Sequence, residues 1–346
     1  MATSSPALEQ FIKSIPLFSL VEPDDLMDIL RLLRPVELQS GEVLFREGTP
    51  GTAMWVLGKG TEVSISVTPQ EAKRPVVVAY AKEGEVVGEM ALVDDGPRSG
   101  TAVVMQGGPA HQIDATEFQV LRQSHTPAAF KVLRRICIDL CRKLRATSDR
   151  IVPPSPHHVR APALPVGQMP GIEVLDELPQ LRPLPATVKL ALAQKLRLVE
   201  VEGVTPVFAE KEPADAAYFV VSGEVSVGRN GQTLSNLGPG ALFGLVSAID
   251  GGLRSASCIT TGPARLLRLA DADFDALFAT GHRFAFHLVD MVARQLVGHL
   301  RQANELLPPP GRGRPVASKR GEIEAIPELE LMPLEMELQL ANALGS

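Results

Sequence analysis

At 346 residues the chain is longer than one ordinary domain, and with 45% apolar residues it can bury two or three cores. A net charge of −6 argues against nucleic acid as its main partner, and no apolar run reaches the length of a membrane span. The N-terminus has no basic-then-apolar signal, so a cytoplasmic protein is expected.

From Leu8 to Leu33 short helical patterns break at Pro16 and Pro23, and Asp24 and Asp25 suit a helix N-terminus. The pattern then changes to short β-rich runs: Glu42–Phe45, Met54–Leu57, Val63–Val67, Val76–Tyr80 and Thr101–Met105. Gly41, Gly48, Gly51, Gly58, Gly60, Gly84 and Gly107 punctuate them. A small β-sandwich or β-roll with tight turns is expected, with Trp55 in its core.

Gly88-Glu89-Met90-Ala91-Leu92, a spacer and Pro97-Arg98-Ser99-Gly100-Thr101-Ala102 form the one stretch with readable chemistry. Gly88 permits an unusual backbone, and Glu-Met-Ala-Leu starts a helix whose unpaired N–H groups can hold an anion. Arg98 offers a fork suited to phosphate oxygens. Glu89 either accepts hydrogen bonds from a sugar hydroxyl or caps the helix. The stretch reads as a site for a phosphate joined to a sugar.

A helix is expected from about Glu117 to Arg150, broken near Pro127. Its stripe of Phe130, Leu133, Cys137, Leu140 and Leu144 either packs on the roll or pairs with a partner. Arg134, Arg135, Arg142, Lys143 and Arg145 read as a solvated face. The three cysteines, Cys137, Cys141 and Cys258, make no disulfide framework. Cys137 and Cys141, one helical turn apart, read as small core residues rather than a metal site.

Residues 151–173 carry six prolines and read as a semi-extended linker rather than a packed element, with His157 and His158 solvated. Beyond it the first part repeats. Gly240, Gly244, Arg254 and Ser255 each lie 156 residues after Gly84, Gly88, Arg98 and Ser99. Tyr218–Gly223 echoes Trp55–Gly60, and Val289, Ala293, Leu296, Leu300, Ala303 and Leu307 make a second helical seam. The copy is imperfect. Leu245 stands for Glu89, Leu253 for Pro97, and Lys211 and Ala214 for Gly48 and Gly51. Leu245 cannot accept a bond from a sugar hydroxyl. A weaker phosphate site at Gly244, Arg254 and Ser255, a different ligand, or none are the open alternatives. Residues 308–346, Pro-rich and then acidic, read either as a disordered end or as a partner-binding motif.

These motifs resemble the cyclic nucleotide-binding domain family. Its cassette runs Gly-Glu-apolar-Ala-Leu, then Pro-Arg followed by two small residues. The first copy departs only in Gly100, where the family usually has Ala. The resemblance implies a mainly β fold with flanking helices, as two tandem eight-stranded β-rolls, at about 8–150 and 174–307. It implies that Arg98 pairs with the cyclic phosphate and Glu89 takes the ribose 2′-hydroxyl. Gly88, Met90 and Ala91 would border the phosphate, with Ser99 nearby. Ser99 leans towards cAMP over cGMP, and no cofactor is implied.

Tandem copies resemble the regulatory subunits of cAMP-dependent protein kinase, though no Arg-Arg-x-Ser or Arg-Arg-x-Ala inhibitor sequence precedes the domains and no dimerisation domain stands ahead of residue 8. The single-copy relatives are sensor domains of the catabolite activator type, and the tail has no room for their helix-turn-helix. The expectation is a non-catalytic receptor that relays ligand binding to an unidentified effector protein, with no direct DNA binding and a homodimer compatible with the pattern. The rival is a scaffold whose rolls have lost their nucleotide.

Overall fold

The computed structural model describes residues 6–68, 74–151, 160–230, 232–279 and 283–305. His157, His158 and the tail from 308 onward lie outside them. The described residues divide into two compact units. One is drawn from Met1–Asp139 and Phe286–Val297, the other from Leu140–Ala285 and Gly298–Leu306.

The first unit opens with helices Pro6–Ser14 and Pro23–Leu30 around a short 3-10 turn, Pro16–Phe18. Pro23 sits in the first turn, where its missing N–H is harmless, and Asp24 and Asp25 meet the positive helix end. Two four-stranded antiparallel sheets follow. One runs Arg34–Leu38, Gly108–Asp114, Ala53–Leu57, Val86–Val87; the other runs Val43–Phe45, Thr101–Gln106, Glu62–Val67, Val76–Ala81. Leu38, Trp55, Leu57, Val63, Val87 and Val104 fill the space between them.

Three of these strands carry weak sequence signals. Arg34–Leu38 contains Pro35, tolerated because the strand lies at a sheet edge. Gly108–Asp114 begins with Gly108-Pro109, and Val86–Val87 is only two residues long.

The expected break near Pro127 separates helix Ala115–Gln123 from helix Pro127–Ile151. Asp114 caps the former by accepting from the backbone N–H groups of Thr116 and Glu117. Phe130, Leu133 and Cys137 are buried. Within the first unit, Phe130 meets Phe286 at 6.1 Å between ring centroids, and the Cys137 thiol faces the Val289 carbonyl at 3.9 Å. The stripe therefore packs on a helix. Burial, aided by the negative charge of Asp290, pushes the Cys137 thiol well above its usual range, and burial pushes Cys258 up to about 12. Both cysteines are core residues.

The second unit repeats the roll strand for strand. One sheet runs Leu196–Val201, Ala264–Ala270, Ala216–Ser222, Leu242–Phe243; the other runs Pro206–Phe208, Ser257–Thr260, Val225–Arg229, Gln232–Leu237. The same order in both copies makes the chain two tandem eight-stranded β-rolls with flanking helices.

Two expectations need correction. Arg145, read as part of a solvated face, pairs through Nε and Nη2 with Asp250, whose side chain is almost fully buried. The stretch read as an unpacked linker is packed over its described part. Gln168 pairs with Leu198, and Leu164 packs on the core of the second roll. Leu164 is the one large apolar residue that the prolines present to the sheet, and burying it outweighs leaving the segment solvated.

Candidate functional site

In the first roll, strand Val86–Val87 runs into Gly88, whose φ of 85° is open to glycine but costly for other residues. A Cβ there would sit 2.6 Å from Nη1 of Arg98 and 3.1 Å from the Ala53 carbonyl, so the close approach demands glycine as well. Glu89–Leu92 forms a single 3-10 turn, and all four residues are buried. Arg98, 7% exposed, donates from Nη1 to the Gly88 carbonyl (3.1 Å) and from Nη2 to the Ala53 carbonyl (2.5 Å). Its guanidinium lies over the Phe45 ring at 4.1 Å, and Phe45 stacks on Trp55 at 5.8 Å.

The loop at 48–52 holds the main chain of Arg98. Arg98 N–H donates to the Thr49 carbonyl (2.8 Å), and Gly48 N–H donates to the Arg98 carbonyl (3.0 Å). Gly51 faces the cassette so closely that a Cβ would lie 2.9 Å from the Ala91 Cβ and 3.6 Å from Cζ of Arg98. Ser99 points its hydroxyl at the Met90 sulfur, 3.6 Å away. Gly88, Glu89, Met90, Ala91, Arg98 and Ser99 are thus brought into one cluster. Phe45, Thr49 and Ala53 complete it. Phe45 ends an apolar run, and the other two act through backbone carbonyls, so no side-chain motif marks them. Gly100 stands where the family usually has Ala, and a Cβ there would lie 2.7 Å from the Ser66 carbonyl.

The second roll keeps the frame and changes its chemistry. Gly244 has φ 76°, and Arg254, 2% exposed, donates to the carbonyls of Gly244 (3.0 Å) and Ala216 (2.6 Å) and lies 4.0 Å over Phe208. It also donates to the Ser247 hydroxyl (3.1 Å) and to the Asp215 carboxylate (2.7 Å). Thr52 stands at the place of Asp215, as matching backbone bonds from Ala115 and Asp271 show. An anion reaching Arg254 must therefore compete with a carboxylate. Leu245, buried, opens helix Leu245–Asp250 where Glu89 opens the first cassette. Ala214 carries a methyl where Gly51 has none. Ser255 is half-buried beside Arg254.

Burial and Asp215 also act on the surroundings. Burial raises the Tyr218 hydroxyl above its usual range, with Asp215 adding to it. Among the described residues no group of three His, Cys, Asp or Glu side chains could hold a metal, and no helix is long and apolar enough to cross a membrane.

A cyclic AMP receptor protein from Thermus thermophilus is 37% identical over 117 residues, 32% of this chain and 54% of that protein. A cAMP-dependent protein kinase regulatory subunit from Yarrowia lipolytica is 25% identical over 279 residues, 79% of this chain and 62% of that protein. The chain thus spans less than two thirds of the length of either relative. Among solved structures, the regulatory domain of Toxoplasma gondii PKA, crystallised with cAMP, aligns with 85% of this chain and 100% of its own at 18% identity and a TM-score of 0.33. The cyclic nucleotide-binding domain model matches residues 35–125 and 198–280, just over half of the sequence, once on each roll. The chain belongs to the cyclic nucleotide-binding domain family.

Proposed function

We propose that the first roll is a receptor for a cyclic nucleotide, with cAMP favoured over cGMP, and that the chain is a non-catalytic, cytoplasmic regulatory protein. In this reading residues 8–150 form the sensing domain, 174–307 a second domain, and an effector protein reads the output. The observation that carries it is the joint burial of Glu89 and Arg98 in one cassette. A buried cation over an aromatic ring suits a phosphate, and a buried carboxylate in the same cassette suits a ribose hydroxyl. Gly88 and Gly51 let Arg98 and the cassette turn pack closely together.

A relay is available within the first unit. Buried Arg122 donates to the Leu92 carbonyl at the end of the cassette (2.9 Å) and pairs with Asp290 on helix Arg283–Glu305. Movement of Glu89–Leu92 on binding would be felt at Asp290, provided the ligand binds the two arrangements with different affinity.

Isothermal calorimetry with cAMP and cGMP on the wild type, Arg98→Ala and Glu89→Ala tests the reading. Wild type should bind one nucleotide per chain. Each variant should lose about 100-fold in affinity, the scale of one or two charge-assisted bonds. Equal binding by all three proteins, or by none, overturns it. Leu245 and the competing Asp215 favour a second reading for the second roll alone, that of an interaction module without nucleotide.

A further inference from the structure

We infer that the second roll is a peptide acceptor whose site is filled in cis by the chain's own segment Arg160–Gln168. Four contacts seat this segment, all within the second unit. Gln168 and Leu198 exchange both backbone hydrogen bonds, at 3.0 and 2.7 Å. Leu198 lies on Leu196–Val201, an edge strand, so the segment adds to an otherwise open edge. At the other end, Ala161 N–H donates to the Glu212 carboxylate at 3.0 Å. Between them Leu164 packs on the roll interior formed by Phe208, Tyr218 and Val220.

The fourth contact is steric. A Cβ on Gly167 would lie 2.6 Å from the Leu198 carbonyl and 3.0 Å from Cβ of Arg197. The backbone approaches so closely that only glycine fits. Together the segment and the roll wall a cleft of about 1040 Å³, with Phe208, Asp215, Tyr218 and Arg268 on the roll side. Phe208 also carries the guanidinium of Arg254, so the cleft adjoins the degenerate cassette. The proline-rich composition helps, because a stiff segment loses little freedom on seating.

The occupant is thus a short apolar, proline-rich peptide with a Leu anchor and a Gly-Gln end that pairs with the edge strand. Covalent attachment gives it a high effective concentration, which excludes weaker ligands from the cleft.

Hydrogen exchange on the full-length protein tests the seating, and a labelled peptide of residues 160–170 tests the acceptor. In the wild type the Ala161 and Gln168 amides should exchange about 100-fold more slowly than in the free peptide. In Gly167→Val and Leu164→Asp, both altered outside the roll, this protection should vanish. Both variants should then capture the labelled peptide at least about tenfold more tightly than the wild type does, because the cis competitor is gone. Wild-type exchange at the free-peptide rate, equal capture by wild type and variants, or capture by none overturns the inference. No cyclic nucleotide enters either readout, so the result is independent of whether the first roll binds one.

Discussion

Arg122 donates to the carbonyl of Leu92 at 2.9 Å and so fastens the last residue of the cassette turn to the helix that follows the roll. Its other nitrogen pairs with Asp290, which also receives Nε of Arg294 at 2.9 Å. Removing one member of a largely buried pair leaves the other uncompensated. Asp290→Asn should lower stability by about 1–3 kcal/mol, read as a shift in the urea midpoint at unchanged slope. Arg122→Met should cost a similar amount and, in the proposed relay, uncouple cassette binding from exchange protection around residue 290. Unchanged coupling in a folded Arg122→Met protein would argue against this route.

Two glycines of the first cassette separate binding from folding. Gly51→Ala places a methyl 2.9 Å from the Ala91 Cβ and should weaken nucleotide affinity about tenfold through crowding of the cassette. Gly100→Ala restores the usual family residue yet drives a methyl to 2.7 Å from the Ser66 carbonyl. It should lower stability by roughly 1–3 kcal/mol with little change in affinity. Thermal unfolding and calorimetry on both variants distinguish the two outcomes.

The second cassette should contribute nothing to stoichiometry. Arg254→Ala should leave one nucleotide per chain while destabilising the second roll by about 1–3 kcal/mol, because the Gly244 and Ala216 carbonyls lose its guanidinium donors, whereas exposed Asp215 keeps Arg268. A fall in bound nucleotide in a folded Arg254→Ala protein would show that the second roll takes part.

His299 sets an acid limit. It is fully buried, neither ring nitrogen has a hydrogen-bond partner among the described residues, and burial drives its pKa down from 6.5 to about 3. Between those values the unfolded chain binds a proton that the folded chain does not. The stability linked to neutral His299 is therefore complete above pH 6.5 and is lost as pH falls towards 3. Between pH 7 and pH 5 the loss is roughly 2 kcal/mol from this group. His299→Leu should remove that part of the slope, so its gain over wild type grows from pH 7 to pH 5. Denaturation midpoints at the two pH values check the sign.

Much of this was legible in the sequence for physical reasons. Strands such as Val63–Val67 and Val76–Ala81 are bounded by glycines whose positive φ values mark real turns, Gly60 (76°) and Gly84 (81°). The fixed 156-residue offset exposed the duplication, and the two rolls have the same strand order. Arg34–Leu38 was not legible, since its proline and mixed polarity suit an edge strand that alternation alone does not mark. Nor was Asp215, because an acidic residue in a loop has no signature until folding brings it 2.7 Å from Arg254. The seating of Arg160–Gln168 was hidden for a related reason. Proline-rich composition reports stiffness, and the contacts of Leu164 and Gly167 depend on residues far along the chain.

Lys211 has φ 67° where the first copy has Gly48, yet its N–H still donates to the Arg254 carbonyl at 2.8 Å. A lysine in that conformation costs on the order of 1 kcal/mol. The second roll tolerates this cost to keep the loop in place around an arginine that is itself among the largest fully buried side chains. Arg254 therefore serves as an architectural keystone, a charged residue doing the work of a core residue. In a duplicated sensor, an arginine kept at this position is no proof of a working receptor. The better diagnostic is the residue just after the cassette glycine, Glu89 in one roll and Leu245 in the other.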